Sequence, residues 1–266
     1  MIRPRLSKVA SGTRLTTDLV NDIINRTEYA ADLLRQYKLT AGNGMYVEPH
    51  YDGTRVSYLQ PVAGGATPTQ PIINTKNSFF IGIAAATGGA TSIQSIDSFN
   101  VNNEPANITE VLGTATYLGG TSYRLTNNLA NQVGAVWNNA RIFGESFSAS
   151  FNYQIGGASG ADGFTLIFCQ SFFLAGFGGG LGYQGAPTNS VAVEIDIFRN
   201  LPFDPDDSHI AVLQGGSVSN HLSLYSVTVR PSGKLSVTYF SKILNVYHND
   251  ILIITYPIDL TAIIGQ

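Results

Sequence analysis

The chain is poor in charge, in cysteine and in long apolar segments. Only 12% of its 266 residues are charged, and the net charge of −3 comes without any basic cluster. Because binding along nucleic acid needs clustered Lys and Arg, we expect no nucleic-acid partner. No apolar run approaches the roughly 18 residues of a membrane helix, so we expect no membrane insertion. A hydrophobic content of 44% excludes a disordered charged tail.

The single cysteine, Cys169, excludes an internal disulfide framework. It lies in the apolar segment Thr165–Gln170, where a buried small side chain is expected rather than a nucleophile. The first residues also lack the apolar stretch of a secretory signal peptide. These features together indicate a protein that folds in a cytoplasm.

The segment Thr16–Tyr37 is predicted to form a helix, because apolar residues recur at intervals of three and four. These residues are Val20, Ile23, Thr27, Ala30, Leu34 and Tyr37. Their stripe has to pack either on other copies of the chain, which is the favoured alternative, or on the rest of the same chain. A coiled-coil-like oligomer is attractive, although only about three heptads exist.

A β-hairpin and a linker are predicted after this helix. Met45–Tyr51 and Arg55–Leu59 flank Asp52-Gly53, a pair typical of tight hairpin turns. Gln60–Pro71 is rich in Gly, Pro and Thr, which favours a linker. We therefore divide the chain into an anchoring and oligomerisation region at 1–60, a linker at 61–76 and a domain at 77–266.

The domain from residue 77 onward is predicted to be all-β. Short strands alternate with turns rich in Gly, Asn and Ser, and no helical pattern separates them. The clearest strand alternates apolar and polar residues, as expected for a strand with one buried face. Its apolar residues are Phe147, Ala149, Phe151, Tyr153 and Ile155. Many such strands in sequence predict a β-sandwich or jelly roll.

Acidic residues gather in the stretch Val191–His209. Glu194 and Asp196 would share one face of a strand, about 6.5–7 Å apart at Cα. The loop that follows carries Asn200, Asp204, Asp206, Asp207 and His209. Carboxylate and amide oxygens suit Ca²⁺, and an added imidazole favours Mn²⁺ or Zn²⁺. A solvated acidic turn with a surface histidine is the alternative.

A glycoside hydrolase is a second hypothesis for the same residues. Glu-Ile-Asp resembles the paired carboxylates of some retaining β-glucanases, in which an acid and a nucleophile flank the bond. That pattern requires a third carboxylate, and Phe198 and Arg199 occupy the two positions where it would stand. We therefore expect no enzymatic activity.

The stretch Val191–Asn200 has the sequence V-A-V-E-I-D-I-F-R-N, with Asp204-Pro205 and His209 after it. This pattern resembles the metal-binding strand of L-type (legume-type) lectins, whose fold is a jelly-roll sandwich. The resemblance implies a transition-metal ion such as Mn²⁺ held by Glu194, Asp196, Asp204 and His209. It also implies Ca²⁺ held by Asp196, Asp204, Asn200 and the Phe198 carbonyl.

Three further segments resemble the same family in consistent order. Ala161–Phe164 is similar to the strand whose Asp accepts hydrogen bonds from sugar hydroxyls, after a cis peptide bond. Gly178–Tyr183 resembles the glycine-rich loop that offers backbone N–H groups to the sugar. Leu125-Thr126 with Gln132–Trp137 looks like the family's opening segment. The implied carbohydrate-binding residues are Asp162, Gly179, Gly180 and Asn200.

The order of the family segments indicates circular permutation. Ile258–Gln266 resembles an internal turn of the family but ends this sequence, whereas the expected continuation resembles Phe79–Gly89 and Ile96–Val101. We therefore predict that strand 78–87 lies near the Ile258–Gln266 end. Residues 78–101 could complete either their own sandwich or, by domain swapping, that of a neighbouring subunit.

The first sixty residues resemble, less specifically, attachment regions of phage structural proteins. The matching segments are Thr13–Thr16, Asn21–Ile24 and Gly42–Val47. The resulting hypothesis is a phage virion protein, made in the host cytoplasm, that binds glycans. It would contact other virion proteins through its N-terminal region and form a homo-oligomer, with a trimer favoured. A structural decoration or fibre protein with a lectin fold but no sugar binding is the alternative.

Overall fold

The structure is a computed structural model that describes residues 48–49, 56–57, 78–143, 146–157, 160–201, 204–229 and 231–265. The chain divides into two compact units, Met1–Ile73 and Asn74–Gln266. In the first unit, β1 (Glu48–Pro49) pairs antiparallel with β2 (Val56–Ser57), inside the segments predicted as a hairpin. The predicted helix Thr16–Tyr37 and the linker lie outside the described residues.

The second unit contains two antiparallel sheets, which we call the front and back sheets. The front-sheet strands are β3 (Ser78–Ala86), β6 (Ile108–Gly113), β9 (Val133–Asn138), β10 (Ile142–Phe143), β12 (Gly163–Cys169), β13 (Val191–Asp196), β14 (His209–Gln214) and β15 (His221–Ser226). Their spatial order is β15-β14-β13-β12-β3-β9-β6, and β10 also pairs with β3.

The back sheet covers the other side of the core. Its strands are β4 (Ile93–Val101), β5 (Glu104–Pro105), β7 (Thr116–Gly119), β8 (Ser122–Thr126), β11 (Ser146–Gly156), β16 (Ser232–Phe240), β17 (Ile243–His248) and β18 (Ile251–Pro257). Their order is β18-β17-β16-β11-β4-β8-β7, with β5 beside β4. The prediction of an all-β jelly-roll sandwich is confirmed.

Helical structure is scarce in the part of the chain that the structure describes. It consists of a 3₁₀ turn at Gly178–Gly180 and the short helix α1 (Leu260–Ile264). None of the described helices has the length and apolar character needed to cross a membrane.

The main core lies between the two sheets and follows from period-two alternation. Along β11, Phe147, Phe151 and Tyr153 are buried in this core, as the sequence predicts. Aromatic rings interlock across it, with the Phe79 centroid 5.4 Å from that of Phe147 and 6.0 Å from that of Phe168. Such edge-to-face contacts stabilise the core beyond area burial alone.

Strand β3 lies in the middle of the front sheet, hydrogen-bonded to β12 on one side and β9 on the other. Every residue of β3 except Phe80 is buried, which suits a central strand. Helix α1 contacts β3 and β13, and its Leu260 and Ile264 join the same core as Phe79. The predicted proximity of strand 78–87 to the end of the chain is thus found within one chain.

A smaller apolar cluster covers the outer face of the front sheet. It contains Trp137, Tyr183 and Cys169, all with 0% exposure, so the expected burial of Cys169 is confirmed. The Trp137 indole donates a hydrogen bond to the Phe173 carbonyl at 3.1 Å. The segment after β12 is thereby fixed against this face of the sheet.

Gly82 is expected to be essential to this packing. A Cβ at Gly82 would lie 2.4 Å from two atoms of the buried Trp137 ring. We expect Gly82→Ala to lower the free energy of unfolding by about 1–3 kcal/mol through overpacking. Urea unfolding followed by the fluorescence of Trp137, the only tryptophan in the sequence, measures this loss. Gly89→Ala is the control, because no atom lies within 4 Å of its added Cβ; equal losses in both variants would contradict the packing argument.

Candidate functional site

The candidate site begins at the end of β13, where antiparallel pairing joins residues that are distant in sequence. Asp196 lies opposite His209 in the register of β13 and β14. Alternation along β13 turns Val193 and Ile195 into the main core, and therefore Glu194 and Asp196 to the outer face. The residues Glu194, Asp196 and His209 are at most 2% exposed.

The loop after β13 folds back on the strand through its own polar groups. The Phe198 N–H donates to Asp196 Oδ1 at 2.8 Å, and the Asn200 N–H donates to Asp204 Oδ2. The Asn200 side-chain amide donates to the Phe198 carbonyl at 2.9 Å. The four residues predicted to hold Ca²⁺ are therefore brought together at one end of the strand.

Two overlapping groups of side chains offer ligand atoms for a metal ion. One group is Asp196, Asp204 and His209, and the other is Glu194, His209 and His221. Within each group the ligand atoms lie within 4.8 Å of one another. Buried carboxylates combined with imidazole nitrogen suit a divalent transition-metal ion. All four residues predicted as transition-metal ligands occur in these groups, and His221 joins them.

Burial makes the Asp196 carboxyl of this cluster hard to ionise without a cation. Desolvation raises the pKa of Asp196 to about 8, and the Asp204 and Glu194 carboxylates add to the rise. The Phe198 N–H and His209 act in the opposite direction. Among the described residues, no Lys or Arg forms an ion pair with these three carboxylates. The arrangement therefore fits a bound cation.

His209 is held by a carboxylate on each side of its ring. Nδ1 lies 3.1 Å from Asp206 Oδ1, and Nε2 lies 3.2 Å from Glu194 Oε1. Burial alone would lower the pKa of His209, but Glu194, Asp196 and Asp206 hold it above its ordinary value. The Ser226 hydroxyl donates to Asp206 and fixes it. A carboxylate behind an imidazole in this way orients the other ring nitrogen toward a metal.

Asp162 lies beside the metal-ligand loop, after a cis Ala161–Asp162 peptide bond, so that prediction is confirmed. Its N–H donates to the Ala86 carbonyl at 2.9 Å, and its carbonyl accepts from the Ile197 N–H at 3.0 Å. Burial raises the pKa of the Asp162 carboxyl to about 6, against the lowering effect of hydrogen bonds from Asn200 and Gly88. Its Oδ2 is buried without a hydrogen-bond partner among the described residues.

The glycine-rich turn Gly178–Gly180 packs against the Asn200 side chain and against Gly88, which lies next to Asp162. A Cβ at Gly179 would lie 2.6 Å from Asn200 Cγ, so only glycine allows this approach. A Cβ at Gly88 would lie 3.2 Å from the Cα of Gly178 and 3.4 Å from Asp162 Oδ2. The Gly180 N–H already donates to the Phe177 carbonyl at 3.1 Å, which favours Gly179 over Gly180 as a donor to a ligand. The structure thus brings together all four predicted carbohydrate-binding residues.

A comparison with known protein families agrees with the β-sandwich fold described above. The model of the legume lectin domain matches residues 95–266. The chain belongs to the legume lectin family. No curated protein matches the chain. The matched residues include both groups of candidate metal ligands and the segment around Asp162.

Two polar residues of this candidate site have no role that the sequence predicts. No sequence pattern predicts metal binding by His221, because it lies outside the acidic stretch Val191–His209. The sequence predicts Asp206 only as one of the loop carboxylates, whereas the structure places it against His209. The spacing of Asp206 three residues before His209 was the available signal for that contact.

Metal removal is expected to destabilise the lectin domain. Binding at 100 times the dissociation constant stabilises a folded protein by about 2.7 kcal/mol. We therefore expect EDTA to lower the melting temperature of the Ca²⁺- and Mn²⁺-loaded protein by roughly 5–10 °C. Differential scanning calorimetry of the same sample after re-addition of each ion checks reversibility.

The matched variants are Asp204→Asn, which removes a buried carboxylate of the cluster, and Asp207→Asn, which removes an exposed one from the same loop. Asp204→Asn should lose most of the EDTA effect, and Asp207→Asn should keep it. An EDTA-treated wild type that melts at the temperature of the loaded protein would show that no stabilising cation binds.

Proposed function

We propose that this protein is a metal-dependent carbohydrate-binding protein that performs no chemistry on its ligand. The observation that carries the proposal is the pairing of the Asp162 carboxylate with the Asn200 amide, next to a buried carboxylate–histidine cluster. One buried oxygen of Asp162 has no protein partner in the described part of the chain, so it lacks a hydrogen bond that a ligand hydroxyl would supply. Membership of the legume lectin family supports the same function.

The proposed metal ligands divide between two ions. Asp196, Asp204, Asn200 and the Phe198 carbonyl would hold Ca²⁺, and Glu194, Asp196, Asp204 and His209 would hold the transition-metal ion, Mn²⁺ or similar. The cations would supply positive charge opposite these buried carboxylates. Asn200, whose N–H donates to Asp204, is fixed by this loop in the orientation that a sugar would meet.

The sugar contacts are proposed to come from side-chain and backbone groups together. Asp162 would accept hydrogen bonds from two hydroxyls, and Asn200 and the Gly179 N–H would donate, with Gly180 shaping the turn. Hydrogen bonds to a carboxylate are the stronger ones, but each competes with water. A single site should therefore bind weakly, and several copies acting together would give firm attachment.

Replacing Asp162 is expected to weaken sugar binding without loss of the fold. Asp162→Asn substitutes a donor for one acceptor oxygen, which should weaken binding roughly 10- to 100-fold. A glycan array with Ca²⁺ and Mn²⁺, repeated with EDTA, measures the effect. Asp250→Asn is the control, because Asp250 is exposed in the turn after β17 and Asn tolerates its positive φ of 64°.

The array also separates the alternative functions. Binding that survives Asp162→Asn would contradict the proposed sugar site. No binding to any glycan would favour a structural decoration protein, and release of sugar from a bound glycan would favour a glycoside hydrolase.

We further propose that the protein is part of a phage virion and is made in the host cytoplasm. The N-terminal region would contact other virion proteins and hold the copies together. Support comes from the resemblance of Thr13–Thr16, Asn21–Ile24 and Gly42–Val47 to phage attachment regions, and from the apolar stripe of the predicted helix Thr16–Tyr37. Multiple copies would also supply the multivalency that weak sugar sites need.

The full chain is expected to be a trimer in solution. The apolar stripe of the predicted N-terminal helix provides the reason, since burying it between subunits removes it from water. Sedimentation equilibrium should return three times the chain mass of 28.4 kDa. A monomer mass at micromolar concentration would contradict the proposed oligomer, and a dimer would contradict the subunit number alone.

Circular permutation of the lectin sandwich is likewise proposed. The family match begins at residue 95, whereas β3 precedes it and yet lies in the middle of the front sheet. Helix α1, near the end of the chain, contacts this strand. Sandwiches whose termini lie close together tolerate new ends, which supports the proposal.

A further inference from the structure

Two histidines converge on one buried carboxylate oxygen at the front sheet. His209 Nε2 lies 3.2 Å from Glu194 Oε1, and His221 Nε2 lies 3.1 Å from the same oxygen. The two imidazole rings stand nearly perpendicular, with centroids 5.3 Å apart. Glu194 is 1% exposed, so both nitrogens approach it inside the protein rather than in solvent.

His221 Nε2 lies near the Glu194 carboxylate but forms no hydrogen bond with it. Its Nε2 is buried and makes no hydrogen bond within the described residues, although it lies at ion-pair distance from the carboxylate. A buried polar atom without a partner costs free energy, so it calls for a ligand that the protein itself does not supply. A metal ion between His221, Glu194 and His209 would satisfy all three groups.

A β-bulge is what turns His221 toward this cluster. Val212 pairs with Ser223, but the next residue, Leu213, pairs with His221, so Leu222 is the extra residue of β15. His221 therefore shares a face with Leu224, three positions away, whereas a regular strand would put them on opposite faces. Bulges that redirect a side chain in this way are typical of functional sites.

We propose that His221 is a ligand of the transition-metal ion and shifts the preference of this site from Mn²⁺ toward Zn²⁺, Co²⁺ or Ni²⁺. The inference rests on the proposed metal centre. The family resemblance implies a single imidazole, His209, among carboxylates, which is a donor set suited to Mn²⁺. A second imidazole makes the set richer in nitrogen, and nitrogen ligands favour the later ions of the series.

The test compares metal affinities of the full-length protein with and without His221. The metal-stripped wild type and His221→Gln are titrated with Zn²⁺, Co²⁺ and Mn²⁺ alone, using competition with a chelator for Zn²⁺, visible absorption for Co²⁺ and the electron-spin signal of free Mn²⁺. We expect His221→Gln to weaken Zn²⁺ and Co²⁺ at least about 10-fold, and Mn²⁺ less than about 3-fold. The Co²⁺ absorption bands should also shift. Ser223→Ala, on the same strand, should change none of these.

A second variant protects the test from a trivial loss of folding. His221→Cys replaces the imidazole with a thiolate, which also prefers Zn²⁺, so it should restore Zn²⁺ affinity without raising Mn²⁺ affinity above that of His221→Gln. A merely structural imidazole would show no such ion-selective rescue. Tryptophan fluorescence of each variant confirms that its core is intact.

The failures of the two proposals are distinguishable. If Asp204→Asn abolishes metal binding while His221→Gln leaves the Zn²⁺ to Mn²⁺ preference unchanged, the metal centre stands and the role of His221 is wrong. If the wild type binds none of the three ions, both are wrong. The inference is supported if the preference for Zn²⁺ over Mn²⁺ falls in His221→Gln and returns in His221→Cys.

Discussion

The buried carboxylates at the end of β13 need a compensating positive charge. The rest of the candidate site on the front sheet depends on this constraint. Glu194, Asp196 and Asp204 are all buried, and desolvation raises the pKa of Asp196 to about 8. A proton can neutralise one such group, but it cannot organise several oxygens around a point. The proposed divalent cation would do both, and it would couple the folding of the loop after β13 to metal binding.

The same loop carries the charge constraint over to the candidate sugar site through Asn200. Its N–H donates to Asp204, while its side chain hydrogen-bonds the Phe198 carbonyl and Asp162. Gly179 packs directly against that side chain. Loss of the cation would therefore move Asn200, which is the hydrogen-bond partner of Asp162. In the proposed function, metal dependence of sugar binding would follow from this shared residue and would require no contact between metal and sugar.

Local patterns in the sequence were sufficient where regular geometry decides the structure. Period-two alternation predicted the buried face of β11, and strand pairing explains why Asp196 meets His209. His221 was beyond such reasoning, because its orientation depends on a bulge whose position no local pattern reveals. The contact of Gly82 with Trp137 was equally hidden, since it joins neighbouring strands far apart in sequence.

The glycine-rich segment forms a fixed part of the site because small residues let it lie directly on the sheet. A Cβ at Gly182, where φ is +73°, would lie 2.5 Å from Ala84 Cβ, so both positions have to be small. The Thr165 hydroxyl donates to the Leu181 carbonyl at 2.9 Å, and the Tyr183 ring is fully buried below the segment. A loop held this firmly loses little conformational entropy when it binds. The weak binding expected of a single sugar site is therefore due to competition between water and each sugar hydroxyl, and not to ordering of the loop. Additional copies of the site would raise the overall affinity, whereas a more flexible loop would not.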